Sequence, residues 1–252
     1  MASSAGMLNS LGKGCWMLHS RFSMYGIFPI CNNGLLVKLA NGLAVVNPVE
    51  LDEAGFASVE RLCAEHGPLR VIFSPGDWHH IYVSRWQDRF PDAATYVVSE
   101  RVFRKNAELA ERRQSHHITV LDRLKPTLPE FGSEVQLVPF LGAKIKESLC
   151  GAFADRTEVV VLHKASGTLF VTDHCFPKSV LASWGVARDS GFKANTMGFQ
   201  IKDREETRRT ALGLLSLDFS QAVFSHLKPE EGAVYRAADL KDKLRAAYVH
   251  YL

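Results

Sequence analysis

Five side chains in this sequence have the chemistry to share a metal ion: Asp77, His79, His80, Asp173 and His226. The first three fall in Ser74-Pro75-Gly76-Asp77-Trp78-His79-His80, directly after the apolar run Val71-Ile72-Phe73. Asp173 follows the apolar run at 169–172, and His226 follows the run at 222–225. Imidazole and carboxylate are the usual ligands of zinc and of non-haem iron or manganese. Open α/β sheets place their ligands outside the carboxyl ends of strands, which is where these residues fall. Taken singly, each has an ordinary reading: an Asp that caps a helix or forms a turn, a His that lies on the surface. His79, His80, Asp173 and His226 together would complete a tetrahedral zinc or leave positions open on a larger coordination shell. Asp77 would then either reach the same ion or hydrogen-bond water activated at it and take its proton.

The pattern of apolar runs suggests the elements that carry these ligands. Two runs, 34–39 and 42–48, flank Asn41-Gly42, a strong signal for a hairpin. Asp52 caps a helix expected to run to about His66, with Phe56, Val59, Leu62 and Cys63 inward, and Gly67-Pro68 ends it. The strand before Ser74 leads into a helix expected over 80–90, on the near-helical spacing of Ile81, Val83, Trp86 and Phe90. Short strands are expected at 95–98, 118–121 and 135–140, and a second hairpin at 158–163 and 168–172. Asp203 caps a helix to about residue 217, a last strand covers 221–225, and a helix ends the chain. Residues 14–22 alternate as an early strand, and 24–29 read as a loop.

Composition narrows the function classes. The 252 residues are 46% hydrophobic and 23% charged, an ordinary globular balance with enough chain for a large core. A net charge of +3 without a concentrated basic stripe gives no footprint for nucleic acid. The five cysteines are irregularly spaced with no CxxC, which points to a reducing compartment, the cytoplasm, rather than to a disulfide framework. The N-terminal residues lack the pattern of a secretion signal, and no apolar run is long enough for a membrane span.

The order of these features resembles the metallo-β-lactamase superfamily over roughly 35–229: hairpin, helix, strand, ligand-bearing turn, a hairpin ending in Asp, a strand ending in His. More narrowly, His79-His80 followed by Trp86 and Phe90-Pro91-Asp92-Ala93 is similar to a branch described only as a domain of unknown function. The resemblance implies an α/β fold of the αββα sandwich type, in one domain over 1–252. It also implies the superfamily's HxHxDH turn, a mid-chain His, a bridging Asp and a final His. In that overlay Pro75 stands in the place of the first His, Asp77 in that of the second and His79 in that of the Asp, while His80 keeps the last His. Asp173 matches the bridging Asp and His226 the final His. The mid-chain His is missing from 138–150, where Glu147 is the nearest ligand-type side chain.

The first metal site of the superfamily is thereby depleted and the second retained. That points to one divalent ion, zinc or iron, on His79, His80, Asp173 and His226. The activity implied is hydrolysis of a small ester, lactone, thioester or phosphoester. The alternatives are an iron-dependent oxidoreductase and a metal-free scaffold that binds a ligand or partner. The long segment 176–201 is expected to wall the substrate site with Trp184, Phe192, Met197 and Phe199, and to offer Arg188 or Lys193 to an anionic group.

Overall fold

The computed structural model describes residues 7–24, 28–146, 153–176, 193–194, 199–228, 233–249 and 252. Seven strands form one sheet in chain order: β1 (Met7–Gly12), β2 (Cys15–Met24), β3 (Phe28–Leu39), β4 (Gly42–Val46), β5 (Leu69–Ser74), β6 (Ala94–Val97) and β7 (Thr119–Val120). The first four are an antiparallel meander; from β4 onward the strands run parallel. Parallel neighbours need crossovers, and helices supply them. Helix α1 (Glu53–His66) joins β4 to β5, α2 (Val83–Arg89) joins β5 to β6, and α3 (Arg101–Lys105) and α4 (Ala107–Arg112) lead to β7. Asp52 caps α1 by accepting from the Gly55 amide at 2.8 Å.

The second large sheet contains β8 (Val135–Phe140), β11 (Glu158–His163), β12 (Thr168–Val171), β16 (Gln221–Phe224) and β17 (Val234–Tyr235), ordered β17-β16-β12-β11-β8. Strands β12 and β16 are parallel, with Val171 opposite Phe224, so their carboxyl ends finish side by side. Two smaller sheets complete the set: β9 (Ala143–Lys146) between β10 (Phe153–Asp155) and β15 (Phe199–Ile201), and β13 (Cys175–Phe176) with β14 (Lys193–Ala194). Helices α5 (Arg204–Leu215) and α6 (Leu240–Ala247) follow in the C-terminal half.

Side-chain alternation explains why two sheets stack. On β4, Ala44 and Val46 enter a core shared with Phe170 and Val223, while Leu43 and Val45 face Phe56 and Val59 of α1 and Trp86 of α2. Ala211 and Leu214 of α5 and Leu244 of α6 join the inter-sheet core from the other side. The order is therefore helices, sheet, sheet, helices, the expected αββα sandwich. Each fully buried phenylalanine, such as Phe73 or Phe170, contributes about 1.5–3 kcal/mol relative to an exposed one. Among the described residues no helix is long and apolar enough to cross a membrane.

Two local expectations are corrected, and a third lies beyond the described residues. Within the loop expected at 24–29, Met24, Phe28 and Pro29 are strand, because β2 and β3 pair out to Met24 opposite Phe28, and 25–27 lie outside the described residues. The helix expected from His80 begins at Val83, since residues 78–82 are held in turns. The substrate wall expected from 176–201 lies outside the described residues or their described side chains, as does Glu147.

Gly34 marks where β3 and the end of β4 approach most closely: a Cβ there would lie 2.1 Å from the Asn47 carbonyl oxygen. Gly213, inside α5, has nothing within 4 Å of the same position. Gly34→Ala should lower the unfolding free energy by about 2 kcal/mol or more, whereas Gly213→Ala should raise it by about 0.5–1 kcal/mol. Urea melts of the two variants test this; equal effects would contradict the close approach.

Candidate metal centre

The turn after β5 is built to present His79. Ser74 Oγ donates to the His79 carbonyl at 2.9 Å, curling the chain back on the strand end. Asp77 anchors the turn from inside: its Oδ1 accepts from Ser99 Oγ, its Oδ2 accepts from the Thr157 amide at 3.0 Å, and Arg101 Nη1 lies 3.8 Å away. Gly76 leaves room for the His79 ring, since a Cβ there would come within 2.9 Å of His79 Cδ2.

His79 Nε2 lies 3.3 Å from Asp173 Oδ2, and His226 Nε2 lies 3.0 Å from Asp173 Oδ1. The two imidazoles stack at 5.2 Å between centroids. Ligand atoms of His79, Asp173 and His226 all fall within 4.8 Å of one another, and His80 is not in the group. The adjacent ends of β12 and β16 bring Asp173 and His226 together, and Ser225 Oγ ties them by donating to the Thr172 carbonyl at 3.1 Å.

Hydrogen bonds behind the rings determine which nitrogens face inward. Asn47 Nδ2 donates to Asn32 Oδ1 at 3.0 Å and to the Asn33 carbonyl at 2.5 Å, so Asn47 Oδ1 is left to accept from His79 Nδ1–H at 2.9 Å. His226 Nδ1–H donates to the Cys31 carbonyl at 2.9 Å. Both Nε2 atoms therefore turn lone pairs toward the Asp173 carboxylate, itself an acceptor. His79 Nε2 and Asp173 Oδ1 are buried with no hydrogen-bond partner. Three acceptors facing one another require a cation between them, either bound protons or a metal. An Nδ1–H held by an oxygen is also how proteins orient histidine ligands.

The same carboxylate has a second neighbour. Arg156 Nη2 donates to Asp173 Oδ2 at 2.5 Å and to Glu158 Oε1 at 3.3 Å, and its guanidinium lies 4.4 Å over the Trp78 ring. Glu158 Oε1 also accepts from the Asp173 amide at 2.6 Å and from Thr172 Oγ1. Burial alone would raise the Asp173 pKa, but His79, Arg156 and His226 hold it well below the usual carboxylate range. Burial alone would lower His226, and Asp173 raises it above the ordinary imidazole value.

The likeness to known proteins agrees with this architecture. Residues 24–184 match a family described as Domain of unknown function (DUF4336). The chain belongs to that family. No curated protein matches this DUF4336 chain. Among solved structures it is similar to the DIM-1 metallo-β-lactamase exposed to ceftazidime, at 15% identity over 100% of both chains with a TM-score of 0.62. It is also similar to a metallo-β-lactamase from Erythrobacter litoralis, at 15% identity over 99% of this chain and 95% of that one, TM-score 0.58. A third is the FIM-1 metallo-β-lactamase from Pseudomonas aeruginosa in its mono-zinc form, at 13% identity over 98% and 96%, TM-score 0.55. At such identities the likeness is one of fold.

Two of the residues singled out from sequence sit elsewhere than expected. Asp77 is fully buried with both oxygens taken by protein donors, so it holds the turn instead of meeting water at the cleft. His80 faces Asn106, whose Oδ1 caps α4 at Leu109 and whose Nδ2 approaches His80 Nδ1 at 3.3 Å. Consecutive residues in the turn diverge, and His79 is the one that faces Asp173. Arg156, Glu158 and Asn47 were missed. Glu158 opens β11 and Arg156 lies two residues before it, ahead of the apolar run 159–162, a placement that could have marked them as buried charges.

His80 is buried, and burial with the nearby His79 and Lys105 charges lowers its pKa from 6.5 to about 4. Because the folded value lies below the unfolded one, stability is intact above pH 6.5 and falls as pH drops toward 4. With chelator present throughout, the wild type should lose up to about 3 kcal/mol more than His80→Gln between pH 7 and pH 4. Denaturant melts at the two pH values check this; parallel losses would remove His80 as the cause.

Proposed function

We propose that this chain is a metal-dependent hydrolase of a small ester, lactone, thioester or phosphoester, working with one divalent ion, zinc or iron. The observation that carries the reading is the inward-facing trio of His79 Nε2, His226 Nε2 and an Asp173 carboxylate oxygen, with no donor among the three in the neutral-histidine state. Two imidazoles and one carboxylate form a catalytic type of donor set, because they leave coordination positions open. When bound there, a divalent ion lowers the pKa of water and polarises a carbonyl or phosphoryl oxygen.

The chain's own residues supply the rest. Asn47 and the Cys31 carbonyl orient the two rings, and Arg156 keeps Asp173 ionised as a ligand. A small cleft opens onto His79 and His226, with Pro48, Trp78, Ile81 and Tyr82 as apolar walls and Asn32 as a polar contact. This combination suits a small, largely apolar substrate. Cys15, Cys63 and Cys175 form no disulfide, in keeping with a cytoplasmic setting.

One observation favours a second reading, a metal-free binding scaffold. Arg156 already lies against Asp173, so the carboxylate is partly compensated by a side chain.

Elemental analysis of protein purified without added metal should find one zinc or iron per chain. His226→Ala should lose that ion and lower the thermal midpoint, and chelator should do the same to the wild type. A ligand at 100 times its Kd stabilises the folded state by about 2.7 kcal/mol. His80→Gln should keep the ion. A metal-free wild type whose midpoint ignores chelator, zinc, iron and manganese would favour the scaffold and end the hydrolase reading.

A further inference from the structure

The trio of ligands is flanked by a positive charge that cannot move away. Arg156 is 1% exposed, and its guanidinium meets Asp173 Oδ2 at 2.5 Å, Glu158 Oε1 at 3.3 Å and the Trp78 ring at 4.4 Å. Trp78 immediately precedes His79, so the turn that delivers a ligand also pins the arginine. The two Asp173 oxygens are thereby made unequal. Oδ2 is taken by Arg156, while Oδ1 faces His226 and has no hydrogen bond. Glu158, the other carboxylate in reach, has its Oε1 occupied by Arg156, by the Asp173 amide and by Thr172.

We propose that Arg156 is the residue that sets ion number and affinity in this cluster: a fixed cation that closes Asp173 Oδ2 and holds the site to at most one divalent ion, bound less tightly than it would be without the arginine. This rests on the reading that the trio can hold a metal. A guanidinium next to a ligand carboxylate withdraws that carboxylate's charge from the ion and repels the ion directly, with little solvent to screen either effect. A divalent ion and Arg156 compete for one carboxylate, and the arginine is always present. The arginine also compensates part of the buried carboxylate charge in the absence of an ion, so the fold does not depend on loading alone. Arg156 acts on the ion through Asp173 and is a positioning residue.

The test compares wild type, Arg156→Met and Arg156→Lys, each stripped with chelator and titrated with zinc. The readouts are zinc affinity and stoichiometry by calorimetry, and the zinc-induced change in thermal midpoint. Arg156→Met should bind zinc at least tenfold more tightly than wild type and show a larger zinc-induced rise. Arg156→Lys, which keeps the charge, should remain near wild type. If the stripped Met variant is unfolded and zinc restores its fold, the inference is upheld, because the ion then does what the arginine did. A wild type that binds no zinc beside a Met variant that does would uphold the role of Arg156 and end the metal reading of the native protein. Equal or weaker zinc binding by Arg156→Met would overturn the inference, as would absence of binding in all three proteins.

Discussion

The Asp173 carboxylate is buried, and an isolated buried anion is too costly to persist. Everything around the site follows from the need to compensate it. His79 and His226 approach from two turns, Arg156 from a third segment, and the Glu158 carboxylate that accepts the Asp173 amide is itself drawn to the same arginine. Breaking one member of such a buried set leaves the others uncompensated, so the four charged segments are mutually dependent.

That dependence is what the sandwich supports. The parallel pair β12 and β16 brings Asp173 and His226 to one edge of the second sheet, while β5 brings His79 to the facing edge of the first. Asn33 joins the two sheets there. Its Nδ2 donates to the carbonyls of Phe224 and Leu227 at 2.8 and 2.7 Å, clamping the segment that carries His226. Asn33 also offers its carbonyl to Asn47, which orients His79. A short buried polar chain thus couples both histidines to the core. In a low-dielectric interior such a chain rigidifies when fully satisfied and is costly when broken.

The superfamily fold accommodates metal chemistry, yet fold does not specify activity. What distinguishes this chain is local. Asp77 is drawn inward to brace its own turn, and an arginine lies against the Asp173 carboxylate.

The layered architecture was legible through the resemblance of the chain's strand and ligand order to the metallo-β-lactamase superfamily. Apolar runs at 43–46, 71–73, 159–162 and 169–171 are buried throughout, the pattern of strands in sheets covered on two sides. The sequence also located the chemistry, because polar ligands directly after such runs can only sit at strand ends; Asp173 and His226 were legible for that reason. Which of two adjacent histidines faces the carboxylate was not. His79 and His80 are equivalent in type and position, and the choice rests on Asn47 and Asn106, 32 and 26 residues away in sequence. Nor could the chain order reveal that Asp77 would be claimed by Ser99 and Thr157, or that Arg156 would reach Asp173. Those pairings join segments brought together only when the two sheets close, and the energies involved depend on burial that no single segment possesses alone.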